Sequence, residues 1–384
     1  MKYSCWNNLR HLLTCLGVCL LSCVTPVSAA PTASDATFRI GWISPMTGPA
    51  SKYSAHQSAE LAVEDVNAEG GILGRRLELI MEDGKCDGMA TSSAATKLIN
   101  VDKARYILGG HCSTETLVLA PLAERAKVLT LASISNSPDI TKAGDYIFRT
   151  SPPSTRQSEM LAEYLRDTLN IRTLAIVNED AAFTVPIVKR LSERFREKGG
   201  TITVSEGFEP GSTDFRSILT KIKARKPEAL FIATMAQESA YQLLRQIREL
   251  NIQVPLFGNE NAGNAVSVKP DAKEVFEGLI FGEARFDLNN PATASFVQRF
   301  EQRFHTTGLP YGIWTADAYD GVRLLAKTIN QCGDDVESVK KCLYQVRDYP
   351  GISGTFSIDS NGDALREHGL KQVRDGRIVE LASK

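Results

Sequence analysis

"GGHCSTETLVLAPLAERA", residues Gly109 to Ala126, decides how this chain is read. It follows an apolar run of strand type, Tyr106-Ile107-Leu108, and passes into an amphipathic segment rich in alanine and leucine, Thr114 to Ala126, of helix type. A thiol, a hydroxyl and a carboxylate stand between the two. A strand that hands over to a helix through a short polar loop is the unit of a parallel α/β sheet, and such sheets take ligands at the carboxyl ends of their strands. The helix start adds unpaired amides and the positive end of the helix dipole, which together attract a carboxylate. Ser113 has the chemistry of an N-cap. Capping the helix and donating to a ligand draw on the same geometry, so both roles stay open here. Pro121 removes one backbone hydrogen bond inside the predicted helix and predicts a kink or restart there.

The same alternation runs outward in both directions. Phe38 to Ile43 reads as a strand. Ala59, Ala62, Val63 and Val66 place a helix over Ser54 to Ala68, ended by Gly70-Gly71. Leu77–Met81 and Val128–Ala132 read as strands, and Ala90–Val101 as a helix. After Phe148–Pro153 the pattern restarts, with helices Arg156–Thr168, Val185–Lys198, Asp214–Ala224 and Glu238–Leu250. Strands Thr173–Val177, Thr201–Ser205, Ala229–Ala233, Pro255–Phe257 and Gly278–Phe281 alternate with them, and helices Ala292–Phe304 and Thr315–Asn330 follow. Thr355–Ile358, Leu370–Val373 and Arg377–Leu381 read as β-hairpins. The turn "DSNGD", Asp359 to Asp363, superficially resembles a calcium loop but has Leu370 where the twelfth-position glutamate belongs. The fold class is therefore α/β: two lobes, each a mostly parallel sheet flanked by helices, with the site between them.

The chain's 384 residues suit two domains, and 43% hydrophobic and 23% charged residues suit a globular protein. A formal net charge of −1 gives no field to draw nucleic acid or an anionic membrane. Residues 1–30 read as a signal peptide: a weakly basic start, the apolar Leu12–Val24, then small residues at Val27–Ala30. Cleavage near Ala29 is favoured; the alternative is "LLSC", Leu20 to Cys23, acting as a lipobox that makes Cys23 a lipid anchor. Cys86, Cys112, Cys332 and Cys342 remain after that segment. In an oxidising compartment they suggest two disulfides, and of three pairings the short loops favour Cys86–Cys112 and Cys332–Cys342.

A second polar loop follows the next strand. "ASISNSPDIT", Ala132 to Thr141, offers Ser137 as N-cap and Pro138 at the first helical position, preceded by Ser135 and Asn136. Glu115 favours the dipole of its helix but repels a bound carboxylate unless it turns away. No nucleophile elbow, HExxH, GxGxxG or Walker loop is present. His111 and Cys112 are adjacent and point oppositely on an extended chain, which argues against a cysteine–histidine nucleophile. No catalytic residue, metal or cofactor is expected.

"GWISPMTGPASKY", "LAVEDVNAEGGILGRRLELIMEDGKCD", "YILGGHCSTETLVLAPLAE", "ASISNSPDITKAGDYIFRT" and "GTFSIDSNGD" together resemble the periplasmic leucine/isoleucine/valine-binding proteins, the substrate-binding components of ABC importers. The resemblance runs from about Phe38 to about Leu381. It implies a clamshell with crossings near Thr150, Gly282 and Pro350: one lobe of residues 35–150 plus 283–350, the other of 151–282 plus 351–384. It also implies the Cys86–Cys112 bridge. By the family pattern Ser113 holds a ligand carboxylate, with Ile134-Ser135-Asn136 beside it. The Ile134 carbonyl and Glu260 receive an ammonium, and Tyr53, Phe183 and Ala236 occupy cleft-lining positions. Asn136 replaces a threonine, and Phe183 and Ala236 replace tyrosines, which puts branched-chain preference in question. The implied protein is a periplasmic monomer that takes an amino acid and delivers it to an inner-membrane permease. A sensor module, or a receptor for another carboxylate or an amide, is the alternative.

Overall fold

The computed structural model describes residues 37–48, 50–51 and 55–381. The proposed signal segment, Cys23 and Tyr53 lie outside them.

The first half alternates β1 (Thr37–Ser44), α1 (Ala55–Ala68), β2 (Arg76–Asp83), α2 (Gly88–Asn100), β3 (Tyr106–Gly109), α3 (Ser113–Ala126), β4 (Leu129–Ala132) and β5 (Ile147–Arg149). The five strands form a wholly parallel sheet in the order β2-β1-β3-β4-β5. Every residue of β3 and β4 is buried. Helices cover both faces of such a strand, so it reads as an unbroken apolar run instead of an alternation. α3 continues through Pro121 as one helix, without a restart there.

Next come α4 (Thr155–Glu163), β6 (Thr173–Glu179), α5 (Thr184–Glu197), β7 (Thr201–Phe208), α6 (Arg216–Arg225), β8 (Ala229–Ala233), α7 (Gln237–Glu249), β9 (Leu256–Gly258), α8 (Glu260–Val268) and β10 (Ile280–Ala284). The chain then forms α9 (Pro291–Phe304), α10 (Ile313–Cys332), α11 (Val336–Leu343), and strands β11 (Tyr349–Gly351), β12 (Gly354–Ile358) and β13 (Ala364–Leu365). It ends in the hairpin β14 (His368–Arg374) and β15 (Arg377–Glu380). The second sheet has the order β15-β14-β10-β9-β8-β6-β7, with β14 and β15 antiparallel. Its parallel part, β7-β6-β8-β9-β10, repeats the winding of β2-β1-β3-β4-β5. Each sheet thus has a point where the connections leave in opposite directions, between β1 and β3 and between β6 and β8, and a crevice opens at the strand ends there.

Each sheet has its own core. Ala59, Ala62 and Val66 of α1 meet Val322, Leu325 and Ile329 of α10 above Ile40, Trp42 and Leu108. Val177, Leu230 and Ile232 of the second sheet pack with Leu243, Leu244 and Ile247 of α7. The return to the second sheet comes later than Pro350. Phe356, Ile358 and Ala364 are buried in the first core, beside Phe148, and the chain joins the second sheet only at His368. Burial of those three apolar side chains is what keeps β12 and β13 with the first lobe.

The crossings lie side by side. Arg366 donates from Nη1 to Asp317 Oδ1 on α10 (2.8 Å) and from Nη2 to the Thr150 carbonyl (2.9 Å). The Arg285 amide donates to the Glu367 carbonyl (2.8 Å). Disulfides join Cys86 to Cys112 and Cys332 to Cys342. The first ties the loop after β2 to the loop after β3; the second ties the end of α10 to α11.

Candidate functional site

The loops that leave the carboxyl ends of the strands converge on one cleft, which encloses about 370 Å³ including its open mouth. From the first sheet come His111, Cys112 and Ser113 after β3, and Ile134, Ser135 and Asn136 after β4. From the second come Phe183 after β6, Met235 after β8 and Asn261 after β9; Trp314 of α10 completes the lining.

The β3–α3 loop is held by Glu115. Its carboxylate is fully buried and accepts from three backbone amides: Cys86 (3.0 Å) through Oε1, and His111 (2.9 Å) and Cys112 (3.2 Å) through Oε2. Burial pushes its pKa up, opposed by those three hydrogen bonds. Glu115 therefore turns away from the cleft, toward the loop after β2. The N-cap position belongs to Cys112, not to Ser113. Ser113 is the first helical residue, and Glu115, at the third helical position, reaches back to the Cys112 amide as in a capping box. The Ser113 hydroxyl instead accepts from the Ser137 amide (3.3 Å), which leaves its own proton to donate.

The β4 loop is fixed from beneath. Ser135 donates to the Gly110 carbonyl (2.6 Å) and accepts from Thr116 Oγ1 (2.7 Å), so its hydroxyl joins the two loops to each other. Arg149, fully buried, donates to Asp363 (Nε to Oδ1, 2.7 Å), to the Ser137 carbonyl (2.8 Å) and to Thr141 Oγ1 (2.9 Å). Ser137 is an N-cap, as its sequence position implies: it accepts from the Asp139 amide (3.4 Å) ahead of a short 3-10 turn, Pro138–Lys142. On the opposite side Glu179, also buried, accepts from the amides of Met235 (2.8 Å) and Ala236 (3.1 Å).

Glu260 lies behind Asn136. It lines a second, polar cavity of about 290 Å³ with Gln157, Glu283, Asp317 and His368, and Asn136 and Trp314 form the wall between the two spaces. Its carboxylate accepts from Asn136 Nδ2 (2.5 Å) and Gln157 Nε2 (2.8 Å), both neutral donors. Burial drives its pKa up to about 7, against the pull of those hydrogen bonds and with a push from nearby Glu283.

A family model described as periplasmic binding protein matches residues 37–377. The chain belongs to the periplasmic binding protein family. Members of this family are substrate-binding proteins. The chain is 26% identical over 331 residues to the leucine-, isoleucine-, valine-, threonine- and alanine-binding protein of Pseudomonas aeruginosa, covering 85% of this chain and 87% of that one. Two solved structures share the fold. The leucine-binding protein LivK of Thermotoga maritima has a TM-score of 0.80 and 24% identity, covering 90% and 97% of the two chains. A solute-binding protein of an ABC transporter from Rhodopseudomonas palustris, in complex with 3,4-dihydroxybenzoic acid, has 0.78 and 24%, covering 90% and 96%.

Of the positions the family pattern singled out, Ser113, Ile134, Ser135, Asn136 and Phe183 meet in the cleft. Glu260 does not line it, and Ala236 lies beside it as the N-cap of α7, with its amide taken by Glu179. Cys112 is disulfide-bonded, so no thiolate stands beside His111. His111, Met235, Asn261 and Trp314 also line the cleft, at positions the family pattern does not single out. Asn261 was within reach of the rule that selected Ser113, being the second residue of a helix that follows a strand. Trp314 carried no such signal: it comes from the first turn of a long helix that returns to the other sheet.

Proposed function

We propose that this chain is the extracytoplasmic substrate-binding component of an ABC importer, and that it captures a small organic carboxylate between its lobes. The supporting observation is the convergence of strand-end loops from both sheets on a single cleft, where α3 begins. Glu115 consumes the amides of His111 and Cys112. The first-turn amides of Ser113 and Thr114 have no intrahelical partner, and the Ser113 proton is uncommitted. These three donors suit one carboxylate, while Ile134, Phe183, Met235 and Trp314 suit an apolar body. A monomer that hands its ligand to a membrane permease completes this reading.

A second reading, an α-amino acid, is favoured by the relative's printed name and by Glu260. A buried carboxylate with only neutral donors gains most from a cation. The ammonium would have to take the place of Asn136 Nδ2 at Glu260 Oε1. Thermal-shift screening of the mature protein against amino acids and their des-amino counterparts tests both readings, since saturating ligand raises stability with its concentration over Kd. Matched shifts for the two series favour the plain carboxylate, shifts for amino acids alone favour the second reading, and no shift with any carboxylate defeats both. As a further check, Glu260→Gln weakens amino acids more than plain acids only if Glu260 meets the ammonium.

A further inference from the structure

Two hydrogen-bond acceptors in the cleft are buried without a partner among the described residues. His111 is 3% exposed and stacks on Trp42, ring centroids 4.6 Å apart. Its Nδ1 lies 2.9 Å from the Ile43 carbonyl, an acceptor, so Nδ1 carries the proton and Nε2 presents a lone pair. That Nε2 has no partner. Burial holds the imidazole's pKa down at about 4, so the ring stays neutral and Nε2 stays an acceptor at physiological pH. Asn261 is 4% exposed. Its Nδ2 donates to the Met235 carbonyl (2.7 Å), which fixes the amide's orientation and leaves Oδ1 as a second unpartnered acceptor. His111 comes from the first lobe and Asn261 from the second, and both line the same cleft as Ser113.

Buried acceptors left unpaired are costly, and a site built around them selects ligands that supply the missing donors. A bare cation is a poor candidate, because no acidic side chain lines this space among the described residues and Trp314, Phe183 and Met235 surround it. A neutral hydroxyl needs no counter-charge. The geometry points to a hydroxyl-bearing carboxylic acid as the ligand, its carboxylate at the start of α3 and its hydroxyl group or groups donating to His111 Nε2 and Asn261 Oδ1. This rests on the carboxylate-receptor reading above and adds what the rest of the molecule carries. His111 and Asn261 become the specificity-determining residues.

The test is calorimetric titration of the mature protein with matched pairs: benzoate against 4-hydroxybenzoate and 3,4-dihydroxybenzoate, and butyrate against 4-hydroxybutyrate. The hydroxylated member of at least one pair should bind about tenfold tighter or better, because the parent leaves both acceptors unpaired. His111→Phe and Asn261→Leu should each shrink that preference to less than about threefold. Should either substitution prevent folding, the side-chain 15N resonance of His111 Nε2 in the unaltered protein gives an independent readout: it should move on binding the hydroxylated acid and stay put with the parent. Equal affinity within every pair, or an Nε2 resonance indifferent to the hydroxyl, overturns the inference while leaving a carboxylate receptor standing. Binding by no member of either pair, with binding by α-amino acids, overturns the plain-carboxylate reading and this inference with it.

Discussion

Replacing Glu260 by glutamine should make the protein more stable at high pH and leave it little changed at low pH. The residue is 2% exposed, and its carboxylate accepts from the Asn136 and Gln157 side-chain amides and from its own backbone amide, with no cation against it among the described residues. Its pKa is pushed from an ordinary 4.5 to about 7 in the folded state. The folded protein therefore holds a proton that the unfolded chain releases. The stability from that proton is fully present below pH 4.5 and is lost as pH rises through 7. A shift of this size corresponds to at most about 3 kcal/mol. Glutamine carries no charge at any pH, and it can keep one amide donor while the Asn136 or Gln157 amide turns to meet its NH2 group. Urea unfolding of both proteins at pH 4.5 and pH 8 measures the effect. Other buried acids, Glu115 and Glu179 among them, titrate in both proteins and largely cancel in the difference. The gap between variant and parent should grow in the variant's favour by up to about 3 kcal/mol between the two pH values. A gap constant to within about 0.5 kcal/mol would refute the reasoning. It would mean that the carboxylate is ionised and well compensated in the folded state.

Ser113→Ala should weaken carboxylate binding by about 1.5–3 kcal/mol, the value of a hydrogen bond to a charged group. It should cost about 1 kcal/mol of stability in denaturant, through the Ser137 amide left without its acceptor, since Ser113 is not the cap of α3. Glu115→Ala strands two buried amides and one half-buried amide at once and should cost about 3 kcal/mol or more in the same assay, with weakened binding as the loop loosens. Paired Cys332→Ser and Cys342→Ser substitutions open a short loop and should lower stability by about 3 kcal/mol in the chain-entropy estimate, with ligand affinity unaffected. Thiol titration of the unreduced, denatured mature protein should find none of the four cysteines free; a reactive thiol would contradict both bridges.

Much of the architecture could be read from the chain because parallel strands covered on both faces are short apolar runs, and Tyr106–Gly109, Leu129–Ala132 and Ala229–Ala233 are runs of that kind. Ser113 and Asn136 could be found because they follow such runs directly. Three features escaped. The cap of α3 went to Cys112, whose three-residue spacing to Glu115 is that of a capping box, but a cysteine at the cap hides it from the usual Ser/Thr/Asp/Asn signature. Glu260 proved to face a different space because the Asn136 side chain, from a segment 124 residues earlier, stands between it and the cleft. The late return at His368 depends on Phe356 and Ile358 choosing one core over the other, and a hairpin pattern is silent about which sheet it joins.

The Cys86–Cys112 bond and the Glu115 carboxylate grip the same few residues from two sides. A loop braced in this way has little freedom left to surrender when a guest arrives, so more of the contact energy appears as affinity. The bracing is covalent and needs an oxidant. With the bond reduced, the loop would be braced by the Glu115 carboxylate alone and would offer a ligand a slacker rim.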